Sequence, residues 1–168
     1  MSRAPRSQIA HIGLGSNLED PVRQVRSGFD ELGRLPRTRL LACSSLYRTA
    51  PVGKLDQADF VNAVAVLDTQ LSPRELLQEL LALEARHGRV RGEPNGPRTL
   101  DLDLLLLGDR VIRETGLEVP HPRMHQRAFV LLPLAEVTPD AVIPGRGGVA
   151  QLLAQVADQR VTPIDAND

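Results

Sequence analysis

Two helices, each bounded by its own start and stop signals and separated by strand-like runs, constrain this chain more than any other feature. "DPVRQVRSGFDELG" offers Asp20 as N-cap, Pro21 at the first helical position, an apolar stripe of Val22, Val25, Phe29 and Leu32, and Gly33 as a stop. "SPRELLQELLALEARHG" sets Glu75 three residues after Ser72, the pattern of a capping box, with Pro73 in the first turn and leucines at helical spacing up to Gly88. Around them, "QIAHIGLG", "TRLLACSSLYRT", "FVNAVAVLDT" and "TLDLDLLLLG" read as strands. The order β-α-β-β-α-β predicts an α+β, ferredoxin-like core, an antiparallel sheet with helices on one face. "VPHPRMHQRAFVLLPLAEV" reads as a loop feeding a short helix, and "VAQLLAQVAD" closes a C-terminal elaboration. With 168 residues and 42% apolar content, one domain over 1–168 is expected, with 1–7 and about 159–168 as frayed tails.

The last core strand carries a contradiction. Leu100, Leu102, Leu104 and Leu106 alternate with Thr99, Asp101, Asp103 and Leu105, so two carboxylates share the face opposite the leucines, with Cα atoms roughly 6.5–7 Å apart. Alone, Asp-x-Asp on a strand fits two solvated charges as well as a metal site. Arg86, Arg89, Arg91 and Arg98 crowd the approach to it, opposed only by Glu93. Carboxylates that bind hard cations beside forked guanidinium donors suit a nucleoside triphosphate, whose charge both groups neutralise.

Other residues carry weaker signals. Glu84 falls on the helical stripe given by Leu77, Leu80 and Leu81. "HPRMHQR" holds two histidines and two arginines in seven residues, and the arginines favour an anion over zinc. Phe60 and Asn62 share a strand face, an apolar plate beside an amide that both donates and accepts. The connection "APVGKLDQAD" is long for a hairpin, which marks it as a functional candidate. "GLGSN" lacks the lysine and spacing of a Walker loop. A net charge of −1 gives no global footing for nucleic acid or an anionic membrane, and no run reaches the ~20 apolar residues of a membrane span. The lone Cys43 and a first segment without an apolar core lead to the expectation of a cytoplasmic protein.

"GLGSNLEDP", "SSLYRTAPVG", "DFVNAVAVLDT", "RHGRVR", "GPRTLDLDLLLLG" and "VPHPRMHQRAFVLLPL", in this order, closely resemble the 6-hydroxymethyl-7,8-dihydropterin pyrophosphokinase family of folate biosynthesis, from about residue 9 to about 156. The resemblance implies transfer of the pyrophosphoryl group of ATP to the pterin hydroxymethyl oxygen, releasing AMP, with two Mg²⁺ ions. It implies Asp101 and Asp103 as metal ligands and, with Arg89 and Arg91, as the catalytic group. It implies Glu84, Arg91, Arg98, His121 and Arg127 on the ATP side. On the pterin side it implies Phe60 and Phe129 as the stacking rings, with Asn62, Asp101 and the segment Thr49, Ala50, Pro51 and Val52. Residues 88–97 are expected to close over bound ligands, and the enzyme is expected to act as a monomer. A two-metal phosphohydrolase and a ferredoxin-like binding module are the alternatives.

Overall fold

The computed structural model describes residues 6–18, 20–49, 59–87 and 99–164. Its elements run β1 (Gln8–Ser16), α1 (Pro21–Leu32), β2 (Thr38–Cys43), β3 (Tyr47–Thr49), β4 (Phe60–Thr69), α2 (Pro73–Arg86) and β5 (Asp101–Leu107). There follow a hairpin of β6 (Ile112–Glu114) and β7 (Leu117–Val119), a 3₁₀ turn over Met124–Gln126, and α3 (Ala128–Val137). The chain closes with β8 (Val142–Ile143), β9 (Gly147–Gly148), α4 (Val149–Gln155) and β10 (Thr162–Pro163).

Both punctuated helices form, α1 between its start and stop signals and α2 from its start signal, the stop at Gly88 lying outside the described residues. Asp20 caps α1 by accepting from the Arg23 N–H, and Ser72 and Glu75 form the reciprocal capping box of α2. The buried stripe of α2 is Leu76, Leu80, Leu83 and Glu84, so Leu81 points outward at 47% exposure and the stripe lies one position from the expected Leu77/Leu80/Leu81 set.

The main sheet is antiparallel in the order β10-β3-β4-β1-β5, and β2 lies end to end with β3 along the same edge of β4. The expected single run "TRLLACSSLYRT" is thus interrupted. Ser44 donates its N–H to Val64 O at 2.8 Å and accepts the Val64 N–H on its Oγ at 2.9 Å, so pairing continues through a side chain.

Alternation divides the apolar residues between two cores. Ala10, Ile12, Leu14, Val61, Ala63, Ala65, Leu67, Leu100, Leu102 and Leu104 pack under α1 and α2. Val64, Leu105 and Leu106 pack against α3 and α4 on the other face. The C-terminal part therefore covers the face that a bare βαββαβ core leaves open, and helices flank the sheet on both sides. A register shift between His11 and Ile12 leaves Leu105 without a partner on β1. Leu106 consequently joins the second core and Leu107 the first, which reverses the simple alternation for Leu106.

The C-terminal tail departs most from expectation. Thr162 and Pro163 pair with Arg48 and Tyr47, and the Ile164 N–H donates to Leu46 O at 2.8 Å, so residues 159–164 do not fray. No helix among the described residues is long and apolar enough to cross a membrane.

Candidate active site

The second face of the sheet is not wholly filled by its covering helices. A cavity of about 530 Å³ opens over it, lined by strand residues Gly13, Gly15, Phe60, Asn62, Asp101 and Asp103 and by Arg127 and Phe129 at the start of α3. Its floor is open because two strand positions lack side chains. In register, Gly15 lies between Asp101 on β5 and Asn62 on β4, and Gly13 lies between Asp103 and Val64. A Cβ on Gly15 would stand 3.0 Å from Asn62 Oδ1. Beyond its place in the family resemblance, "GLGSN" carries no site residue in the sequence reading; the missed signal is a pair of glycines two apart on a strand otherwise rich in apolar residues.

The polar groups sort by position on that floor. Asn62 is 6% exposed and donates from Nδ2 to Thr49 Oγ1 at 2.9 Å, which leaves its Oδ1 towards the glycine gap. Phe60 is half-buried and belongs to neither core, and Phe129 is half-buried at the rim of the second. Asp101 and Asp103 are exposed on the same face of β5, as alternation predicts. Glu84 lies outside the cavity lining. Its carboxylate is buried and its Oε2 accepts the Leu102 N–H at 2.8 Å, which satisfies a backbone donor on the outer edge of β5 between the two aspartates.

His121 enters from the loop before α3. Its N–H donates to Leu105 O at 2.9 Å, and its Nδ1 accepts the Arg123 N–H at 3.2 Å. Because a backbone N–H can only donate, the neutral ring carries its proton on Nε2. Burial holds the His121 pKa below the usual histidine value, Asp103 pulls it upward, and Arg127 and Arg123 add to the lowering. His121 is thus within electrostatic reach of both Asp103 and Arg127. The Arg127 guanidinium lies 5.5 Å from the Phe129 ring centroid.

The structure therefore brings Thr49, Phe60, Asn62, Asp101, Asp103, Arg127 and Phe129 into one lining, with His121 in reach. Ala50, Pro51, Val52, Arg89, Arg91 and Arg98, with the whole of 88–97, lie outside the described residues. Gln159, Arg160 and Val161, which the sequence alone places in a frayed tail, line the same cavity.

Among the described residues no three His, Cys, Asp or Glu side chains cluster closely enough to hold a metal alone. Two exposed carboxylates on one strand nevertheless fit Mg²⁺, which keeps several waters and takes one or two protein carboxylates together with substrate phosphate.

The profile of the family described as 7,8-dihydro-6-hydroxymethylpterin-pyrophosphokinase (HPPK) matches residues 11–139. The 2-amino-4-hydroxy-6-hydroxymethyldihydropteridine pyrophosphokinase of Haemophilus influenzae is 44% identical over 156 residues, 93% of this chain and 98% of that protein. Its counterpart in Pseudomonas aeruginosa is 49% identical over 147 residues, 88% of this chain and 91% of the relative. A Plasmodium falciparum HPPK-DHPS structure, wild type with SDX-DHP, superposes with a TM-score of 0.74 at 15% identity, over 94% of this chain and 46% of that one. At that identity the superposition shows the fold alone, and this chain spans about half of the longer protein. The extent and identity of the sequence matches settle the assignment: the chain belongs to the 7,8-dihydro-6-hydroxymethylpterin-pyrophosphokinase family.

Proposed function

We propose that the chain transfers the diphosphoryl group of ATP to the hydroxymethyl oxygen of 6-hydroxymethyl-7,8-dihydropterin at this cavity, releasing AMP. The observation that supports this best is the combination, in one lining, of two half-buried rings, a buried amide and a pair of exposed carboxylates. A pterin is flat and carries donors and acceptors along one edge. Phe60 and Phe129 supply faces for its ring, and Asn62 and Thr49, with the backbone of Ala50, Pro51 and Val52, supply partners for its edge.

On this reading Asp101 and Asp103 stand where the acceptor hydroxyl meets the triphosphate, and they would hold two Mg²⁺ ions. When bound, magnesium would supply positive charge that offsets the charge gathering at the transferred phosphorus. The chain's own contribution is alignment. Glu84 fixes β5 from beneath through the Leu102 N–H, so the two aspartates keep their spacing. The Nε2–H of His121 and the guanidinium of Arg127 are donors for phosphate oxygens, and Arg89, Arg91 and Arg98 are assigned to the same anion. The hydroxymethyl oxygen attacks the β-phosphorus in line as the bond to the bridging α-oxygen breaks, and AMP departs.

The chain is proposed to act as one domain, as a monomer and in the cytoplasm, with neither nucleic acid nor membrane as partner; its near-neutral charge supports the last point. Incubation with MgATP, with and without the pterin, tests the reaction. AMP that forms only when the pterin is present is the expected result. Orthophosphate released without it would favour the phosphohydrolase, and binding without turnover would favour the binding module.

A further inference from the structure

Residues 159–164 form a strap along one wall of the cavity, fixed at both ends. At one end, Gln159 Oε1 accepts the Ala128 N–H and its Nε2 donates to Gln126 O, each at 2.9 Å, so a single amide satisfies the first turn of α3 and the loop before it. At the other, Thr162 and Pro163 pair with β3 and the Ile164 N–H donates to Leu46 O. Arg160 and Val161, between these anchors, line the cavity.

Arg160 is the unexplained member of that lining. Ion pairs among the described residues join Arg37 to Glu75, Arg39 to Asp68, Arg74 to Glu114 and His87 to Glu31, and none engages Arg160. A permanently charged guanidinium is therefore carried on an anchored backbone to the wall of the cavity, where no ion pair among the described residues engages it, Asp101 and Asp103 of the same lining included. The acceptor alcohol is neutral and offers it little. The diphosphate ester made from that alcohol carries several negative charges on the phosphate oxygens attached through the hydroxymethyl group and offers it much.

We propose that Arg160 is an anion-binding residue that engages the diphosphate of the pterin product, and that Gln159 positions it. The inference rests on the cavity being the pterin site. Calorimetric titration of the folded protein with the pterin alcohol and, separately, with its diphosphate ester tests it. Arg160→Ala is expected to weaken the ester about five- to tenfold, the range for a solvent-exposed charge-assisted contact, and to leave the alcohol unchanged within about twofold. Arg160→Lys should recover part of the loss, and raising salt should narrow the gap between wild type and Arg160→Ala. Gln159→Ala should weaken the ester in the same direction.

Equal weakening of both ligands in Arg160→Ala would reduce the strap to a passive wall, and no change in either would leave Arg160 outside the site; each overturns the inference. A Phe60→Ala control separates the underlying assumption. If that variant binds the alcohol as wild type does, the cavity is not the pterin site, and both readings fall together.

Discussion

Asn62 and Phe60 show how much the site depends on single positions. Asn62 can present Oδ1 because Gly15, its partner across the sheet, has no Cβ to crowd it. Phe60 is half-buried and outside both cores, so its ring contributes less to folding than a core aromatic does. Phe60→Ala is therefore expected to leave a folded protein whose pterin affinity falls about tenfold while MgATP affinity holds, because stacking is lost to one ligand only. Fluorescence titration with each ligand reads this, and equal losses for both would return Phe60 to a packing role.

His11 belongs to the same sheet face but to stability. It is 7% exposed, its Nε2 lies 2.8 Å from Thr138 Oγ1, and its Nδ1 has no hydrogen-bond partner. Burial lowers its pKa from 6.5 to about 4. The unfolded chain therefore binds the proton more readily, so this contribution to stability is complete above about pH 6.5 and is lost as pH falls towards 4. Between pH 7 and 5 that linkage amounts to roughly 2 kcal/mol. Urea unfolding of wild type and His11→Gln at both pH values checks it: the wild type should lose that increment and the variant should lose much less. A variant with the full wild-type pH dependence would place the titration elsewhere.

At the scale of elements, α1 and α2 were legible because their end signals are local: a cap, a proline, a stop and a stripe. What escaped the sequence depends on distant partners. The bulge at Leu105 arises from pairing with β1, and the break at Ser44 is sealed by Val64. The strap forms because Gln159 and Ile164 find backbone partners remote in sequence. Glu136 is a similar case. Its carboxylate accepts from the Ser45 N–H, the Ser45 hydroxyl and the Tyr47 hydroxyl, tying α3 to the start of β3, and burial followed by this contact raises the Tyr47 pKa. Nothing in "LAEV" announces that contact. The closeness of α1 to the sheet is likewise set by Gly28, where a Cβ would lie 2.8 Å from Leu14 Cδ2 and 3.1 Å from Leu100 Cδ2. Gly28→Ala forces both leucines to move, and overpacking of this kind is expected to cost about 1–3 kcal/mol, against the gain alanine brings to an exposed helix. Thermal unfolding decides the sign, and a stabilised variant would show that the two leucines repack freely.

For the whole molecule, the two-sided sheet explains why one strand can be core and cavity wall at once. Leu100, Leu102 and Leu104 bury themselves under α1 and α2, while Asp101 and Asp103 face the cavity on the other side. That division was legible from alternation. The enclosure of the cavity by α3 and the strap was not, since it needs the C-terminal part to return across the sheet. The central claim is that this carboxylate pair carries the transfer reaction. Its most direct measure is pterin-dependent AMP formation by Asp103→Asn at saturating Mg²⁺ and substrates, with unfolding followed in parallel. Asp103 is exposed, and replacing it relieves repulsion with its neighbouring carboxylate, so the fold should hold. Turnover should drop about a hundredfold or more, because in the proposed role Asp103 supplies a metal ligand and the phosphate alignment that goes with it. A folded Asp103→Asn enzyme with near wild-type turnover would contradict the claim.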